Sequence, residues 1–239
     1  MPDAHEPQTL TGHLEELRRR LGICLLALLL TAGISFSQAE RLINWLKAPA
    51  GDLLPQFVFF APTEAFSAYL KVAGLAGFMI AMPVILWQTW AFVRAGLTPQ
   101  ERTWGAGFVG WGTVLFAAGV AFAYGVLLPA SLRILLGIGK GQLVPVISID
   151  AYLSFVITLL GWCGIVFELP VVIFILAKVG IVTPEWLRQQ RPYAILVLVI
   201  AAAVLTPTTD MINQLLMTLP MVVLYEISIP LAGVAARQR

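Results

Sequence analysis

Long apolar segments recur along this chain, and they restrict its fold more than any other feature of the sequence. Runs of 18 or more predominantly apolar residues are long enough to cross the roughly 30 Å hydrocarbon core of a bilayer as helices. Hydrophobic residues make up 59% of the chain and charged residues only 12%, whereas an ordinary soluble domain is about 25% charged. Because backbone groups in lipid must be paired within their own segment, the sequence predicts an all-α polytopic membrane protein.

Six transmembrane helices are predicted within a single membrane domain that covers residues 1–239. The expected spans are residues 21–36, 65–92, 104–132, 150–177, 193–205 and 211–229. The fifth provides about 20 Å of helix, and we expect the last two spans to be short. Flanking residues or a thinned bilayer would make up the difference, and a buried re-entrant segment is the alternative for the fifth.

The basic residues predict the orientation of the chain. With the N-terminus inside, ten of the 15 Lys and Arg residues fall in cytoplasmic segments and five in external ones. Such an excess favours both termini in the cytoplasm. Residues 1–20 are then a cytoplasmic amphipathic segment, and the longest external connection, residues 37–64, is expected to hold turns and short helices.

A carboxylate interrupts the fourth span. Glu168 lies in the middle of an apolar run, where a charged side chain costs about 2.5–3.5 kcal/mol or more at the bilayer centre. Pro170 follows and is expected to kink the helix. Acids inside membrane spans mark transport pathways, so Glu168 is a candidate functional acid. A buried structural glutamate, either protonated or hydrogen-bonded, is the alternative.

Leucines and charged residues alternate before the first span. The leucines repeat at helical spacing, which predicts one apolar face. Glu15 with Arg19 and Glu16 with Arg20 are i, i+4 pairs in the favourable order. A surface helix whose arginines set the topology is one interpretation of this segment. A cytoplasmic docking surface with exposed carboxylates is the other.

Polar motifs also occupy the connections between spans. TPQE at residues 98–101 fits a capping box, which gives Glu101 a structural interpretation as well as a ligand-binding one. Thr183 and Pro184 are expected to begin a helix in the same way. Asp210 can cap the last helix, and Gln214 can hydrogen-bond another helix, either internal or from a partner.

A series of short motifs follows in a fixed order from about residue 10 to residue 229. They are HLEELR (13–18), APTEAF (61–66), PVILWQTWAF (83–92), ER (101–102), FAY (122–124), FELP (167–170), LRQQRPY (187–193), LTP (205–207) and the stretch from Gln214 through Pro220 to Tyr225 and Glu226. In this order they resemble TatC, the multispanning core subunit of the bacterial twin-arginine protein translocase.

This resemblance implies a cup-shaped, six-helix receptor in the bacterial inner membrane, with both termini in the cytoplasm. It would bind folded proteins that carry a twin-arginine signal peptide and recruit the single-span partners TatB and TatA. The proton gradient would drive export, and the chain would assemble as a homo-oligomer within a larger complex. The resemblance implies no enzymatic activity, no cofactor or metal, and no nucleic acid partner.

The resemblance also assigns roles to individual residues. The signal-peptide site would comprise Glu16, Leu17, Arg18, Leu97, Glu101 and Arg102. Glu168 would line the concave face within the membrane and aid transport. Thr206 and Gln214 match the family's contact region for the partner subunits.

Two other functional classes compete with a translocase receptor. One is a proton-coupled small-solute transporter with Glu168 as its relay, although the sequence contains no inverted repeat. The other is a structural scaffold whose acids cap helices or pair locally. An enzyme is disfavoured, because no Ser/His/Asp set, HExxH motif or nucleotide fingerprint occurs.

Overall fold

The structure, a computed structural model, describes residues 10–53, 57–94, 105–137, 146–205 and 211–237, which are almost entirely helical. Within these ranges the chain forms ten α-helices, joined by a short 3-10 helix after α2 and a π-type turn before α5. The helices are α1 (Leu10–Phe36), α2 (Ala39–Lys47), α3 (Pro62–Val93), α4 (Gly105–Phe122), α5 (Leu128–Leu135), α6 (Ile149–Phe167), α7 (Leu169–Val179), α8 (Pro184–Gln189), α9 (Arg191–Leu205) and α10 (Met211–Arg237).

Six segments of this structure correspond to the six predicted spans. Five are long and apolar enough to cross a membrane, namely Leu14–Phe36, Pro62–Val93, Gly107–Leu135, Ile149–Val179 and Met211–Ala236, and α9 is a shorter apolar helix. The expected N-terminal segment is continuous with the first span, because α1 begins at Leu10.

The expectation of two short final spans is confirmed for α9, which has 15 residues, and is wrong for α10. That helix has 27 residues and continues through Pro220 and Pro230. Proline is tolerated in membrane helices, where neighbouring groups satisfy the carbonyl that it frees.

Prolines divide two of the spans. Pro129 cannot donate a backbone hydrogen bond, and just before it the N–H of Leu128 bonds the carbonyl of Ala123, five residues back. This π-type turn separates α4 from α5. The predicted kink at Glu168 is confirmed, since α6 ends and α7 begins there. The Glu168 carbonyl accepts bonds from Val171 and Val172 at 2.9 and 3.0 Å.

The buried side chains form two clusters. The first cluster lies among α2–α6 and includes Val72, Phe116 and Leu153. The second cluster lies among α7–α10 and includes Leu198 and Met217. The chain passes from one to the other at the kink, because Phe167 packs against the first cluster and Leu169 against the second. Glu168 therefore occupies the boundary between the two packed halves.

The helices α1 and α3 pack closely in opposite directions. A β-carbon on Gly77 would lie 2.6 Å from Cα of Ala32, so the two backbones meet where Gly77 has no side chain. The hydroxyl of Thr31 donates to the Gly77 carbonyl at 2.8 Å. The outer face of α1 exposes large apolar side chains, as a lipid-facing helix should.

Two tyrosines hold α2 in place against the bundle. Tyr124 stacks on Trp45 with ring centroids 4.0 Å apart and donates to its carbonyl at 2.8 Å. Tyr152 donates to the Leu46 carbonyl, also at 2.8 Å. These contacts close one end of the bundle and account for Tyr124 in the FAY motif.

Candidate functional site

Glu16 lies near the start of α1 and is held in place by Arg20. Nε and Nη2 of Arg20 donate to Oε1 of Glu16 at 3.0 and 2.5 Å, as the i, i+4 spacing predicts. Nη1 of Arg20 donates to Oε1 of Gln88 on α3 at 3.2 Å. The side chain of Glu16 is 26% exposed. Among the described residues, the hydrogen bonds to Glu16 all go to Oε1, and α3 orients the carboxylate through Arg20.

The neighbouring residues of α1 are more open. Leu17 is 45% exposed, and Glu15, Arg18 and Arg19 are exposed as well. The expected Glu15–Arg19 pair is not among the ion pairs of the described chain. An exposed pair of this kind gains only about 0–1 kcal/mol, so its absence costs little.

Four of the predicted site residues, Leu97, Glu101, Arg102 and Thr206, lie outside the described residues, as does Asp210. The first three belong to the connection between α3 and α4. On its near side, Arg94 follows the last turn of α3. On its far side, a β-carbon on Gly105 would lie 2.2 Å from Nε1 of Trp90. Both described ends of this connection therefore lie at the end of α3 that also carries Gln88.

Glu168 lies deep in the bundle and is only 7% exposed. Both of its carboxylate oxygens are buried, and no described residue hydrogen-bonds to either. Of the two forms of the structural alternative, this arrangement gives no support to the hydrogen-bonded one. Its closest surroundings include Gly112 on α4 and Leu86 on α3.

An apolar cavity of about 540 Å³ lies between α4 on one side and α7 and α10 on the other. Trp111, Pro170 and Val171 line it, and each is next to or near Gly112 or Glu168 in sequence. Lys178, which is 7% exposed, also lines the cavity.

Gln214 joins the last two helices. Its Nε2 donates to the carbonyl of Val199 on α9 at 3.2 Å, and its side chain is half-buried. The prediction of an interhelical hydrogen bond is confirmed, here with an internal helix. The outer face of α9 exposes Leu196, Val197, Ile200 and Val204, so this hairpin presents an apolar surface beside the amide.

Sequence reasoning did not identify two residues that the structure brings to these sites, Gln88 and Gly112. Gln88 lies within the PVILWQTWAF motif, but its contact with Arg20 depends on how α1 packs on α3. Gly112 has no distinguishing sequence pattern. Within the described ranges, no group of three or more His, Cys, Asp and Glu side chains comes together to hold a metal ion.

Five long apolar helices and one short one, with a buried carboxylate between two packed halves, define a multi-pass α-helical membrane protein. Residues 12–220 match the family model described as Sec-independent protein translocase protein (TatC). The chain belongs to the TatC family.

Similar proteins from distant organisms carry the same description. The TatC of Carboxydothermus hydrogenoformans is 42% identical over 95% of this chain and 93% of its own length. The TatC of Aquifex aeolicus is 39% identical over 96% of this chain and 97% of its own. The chloroplast TATC of Arabidopsis thaliana is 38% identical over 94% of this chain and 66% of its own.

The fold also matches solved structures. A crystal structure of the twin-arginine translocase receptor TatC superposes with a TM-score of 0.83 and 39% identity, over 93% of this chain and 99% of that one. A second, in the detergent DDM, gives a TM-score of 0.84. The family and the solved structures are those of protein translocase components, which favours the translocase over the solute transporter and the scaffold.

Proposed function

We propose that this chain is the receptor subunit that binds twin-arginine signal peptides of folded proteins at the cytoplasmic face of the bacterial inner membrane. It then recruits TatB-type and TatA-type single-span subunits, and the proton-motive force drives export. The resemblance of the site motifs and the membership of the TatC family support this proposal. The observation that carries it is the arrangement of Glu16.

The contacts of Glu16 suit it to receive a guanidinium group. Arginine binds carboxylates through a planar fork of N–H donors, and such charge-assisted hydrogen bonds are the strong ones. Because Arg20 uses only Oε1, an incoming arginine can bond Oε2 without displacing it. Since Gln88 fixes Arg20, the carboxylate is oriented before the ligand arrives, which lowers the entropy lost on binding.

A pair of adjacent arginines calls for a second carboxylate, and Glu101 is the proposed one. The connection that carries Leu97, Glu101 and Arg102 begins and ends beside the end of α3 that contacts Arg20. Leu17 and Arg18, both exposed on α1, would contribute the remaining surface. Lysine would fit this site less well, because its ammonium group is a point charge without a planar fork.

The α9–α10 hairpin is the proposed contact surface for the partner subunits, through Thr206 and Gln214. The Gln214 amide donates one bond to Val199, and its remaining donor and acceptor capacity is suited to a polar group on a neighbouring membrane helix. The exposed apolar side chains of α9 would pack against that helix.

Peptide binding in lipid nanodiscs tests the signal-peptide site. The purified chain is titrated with a twin-arginine signal peptide and with its twin-lysine counterpart. We expect a preference for arginine, and a loss of affinity of about tenfold or more in Glu16→Ala or Glu101→Ala, since hydrogen bonds to charged groups contribute about 1.5–3 kcal/mol. Glu15→Ala is the matched control, because it removes an adjacent exposed carboxylate and the same charge.

The control decides how a loss of affinity is interpreted. Equal losses in Glu15→Ala and Glu16→Ala would indicate a general electrostatic effect and reject the specific site. Unchanged affinity in both Glu16→Ala and Glu101→Ala would also reject it. The titration is repeated with a TatB-type subunit in the same nanodisc, so that a site shared between subunits is detected.

A further inference from the structure

The Glu168 carboxylate lies against a gap in the surface of α4. Gly112 is buried and has no side chain at this point. A β-carbon there would lie 3.0 Å from Oε2 and 3.4 Å from Oε1 of Glu168, and 2.8 Å from Cδ1 of Leu86. The carboxylate thus occupies space that any other residue at position 112 would fill.

Among the described residues, only packing contacts hold this carboxylate in place. Neither oxygen has a hydrogen-bond partner there, so no directional bond fixes where the group points. Its position is then set by the side chains and backbone that it touches, because protein interiors are close-packed and leave few alternatives. Gly112 and Leu86 are such contacts.

We propose that Gly112 is a positioning residue for Glu168: because it has no side chain, it lets the carboxylate sit against α4, and a larger residue would displace it. The three atoms nearest to a methyl group at position 112 belong to the ends of two flexible side chains, so we expect the side chains to move and the helices to stay in place. Pro170 and Val171, which follow Glu168 on α7, line the apolar cavity, so we expect the displaced carboxylate to move toward it. This inference rests on the proposed role of Glu168 in transport.

The test compares two glycines of the same helix. Gly112→Ala adds the obstructing methyl group, whereas Gly110→Ala adds one where nothing lies within 4 Å. Each variant in lipid nanodiscs is treated with a hydrophobic carbodiimide, and mass spectrometry measures labelling at Glu168. The protonated carboxyl group adds across a C=N bond of the carbodiimide, with its oxygen bonding the carbon and its proton going to nitrogen. In an apolar site that excludes water, the acyl group then shifts from oxygen to nitrogen, and the resulting N-acylurea keeps the label on the residue.

We expect the rate of labelling at Glu168 to rise about tenfold in Gly112→Ala, which corresponds to about 1.4 kcal/mol between the two carboxylate positions. In Gly110→Ala the rate should change by less than about twofold, as for surface substitutions in general. Equal labelling in the wild type and Gly112→Ala would overturn the proposal, as would an equal rise in both variants.

A second pair of variants distinguishes the effect of the methyl group on Glu168 from its effect on Leu86. It also provides a test if Gly112→Ala alone inserts poorly into the membrane. Leu86→Ala removes the other obstructed side chain, so Gly112→Ala in that background encounters only the carboxylate. We expect the double variant to label faster than Leu86→Ala alone. Equal labelling of these two would assign the effect to Leu86 and overturn the proposal.

Transport assays distinguish this inference from the proposed function. Glu168→Gln tests whether the carboxyl group matters for export, and labelling tests whether Gly112 seats it. Full export by both Glu168→Gln and Glu168→Leu, together with raised labelling in Gly112→Ala, would reject the role in transport and retain the contact. If Glu168 does serve transport, export by Gly112→Ala should fall several-fold, and Gly110→Ala should export as the wild type does.

Discussion

The most unusual residue of this chain is Glu168, which is buried although no described residue hydrogen-bonds to its carboxylate. A buried polar group without a partner costs about 1–3 kcal/mol. Strained or unsatisfied groups persist where function requires them, and substitutions that relieve them stabilise the fold at the expense of activity. The packing around Glu168 is consistent with such a trade-off.

Replacing this acid should therefore separate stability from transport. We expect Glu168→Leu to raise the stability of the purified protein by about 1–3 kcal/mol, because it removes the unsatisfied carboxyl group, and to abolish export. Glu168→Gln should leave stability near that of the wild type and impair export less, if hydrogen bonding rather than charge matters. Thermal unfolding in detergent and export of a folded reporter measure the two effects.

Two outcomes would contradict this account of Glu168. A fall in stability for Glu168→Leu would show that the carboxyl group has a favourable contact in the folded state. Equal, complete loss of export in both variants would point to a requirement for the ionised side chain.

Sequence patterns located the polar residues better than their partners. Glu168 was identified because a lone acid in an apolar run is conspicuous, and Arg20 because i, i+4 spacing is a local property of a helix. Gln88 and Gly112 could not be assigned, since their contacts join α3 with α1 and α4 with the kink. Such tertiary contacts have no local periodicity.

At the scale of elements, the antiparallel pair α1 and α3 depends on a single close approach. Membrane helices gain little from apolar burial against one another, and small residues let their backbones approach closely. Here the approach is made at Gly77, which also accepts a hydrogen bond from Thr31. Because α1 carries Glu16, this contact also bears on the proposed peptide site.

Filling this contact should destabilise the helix pair. Gly77→Ala places a methyl group 2.6 Å from the backbone of Ala32, and overpacking of this kind costs about 1–3 kcal/mol. Gly74→Ala, one turn away in α3, meets nothing within 4 Å and should be neutral or slightly stabilising, because alanine favours helix by about 1 kcal/mol over glycine. Thermal unfolding compares the two, and equal midpoints would exclude a tight contact at Gly77.

The length of the apolar runs predicted which segments form helices, but it did not predict where those helices begin and end. Apolar length indicated the correct segments, but α1 extends back to Leu10 and α10 forward to Arg237. The extension of α1 carries charged residues, which a hydropathy argument excludes from the span, whereas residues 230–237 of α10 are apolar apart from Arg237. The π-type turn at Ala123–Leu127 also escaped prediction, because Pro129 disrupts helix geometry in more than one way.

For the molecule as a whole, the two packed clusters meet at the kink in the fourth span. The sequence predicted a kink from Pro170, but the division of the core into two clusters emerges only when helices distant in sequence pack together. The second cluster contains α9, which has 15 residues, or about 22 Å of helix. The hydrocarbon core of a bilayer is about 30 Å thick. The difference between helix length and bilayer thickness is therefore greatest in this half of the molecule.

Bilayer thickness should therefore affect the second half of the molecule. Long helices adapt to thickness by tilting, whereas a short helix requires a thinner bilayer, at fractions of a kcal/mol per Å of mismatch. We expect the unfolding midpoint in nanodiscs to be higher in lipids with short acyl chains than in lipids with long ones. An apolar insertion of four residues after Ile200 adds about 6 Å to α9 and should shift the optimum to thicker bilayers. An unchanged optimum would mean that α9 does not set the preferred thickness.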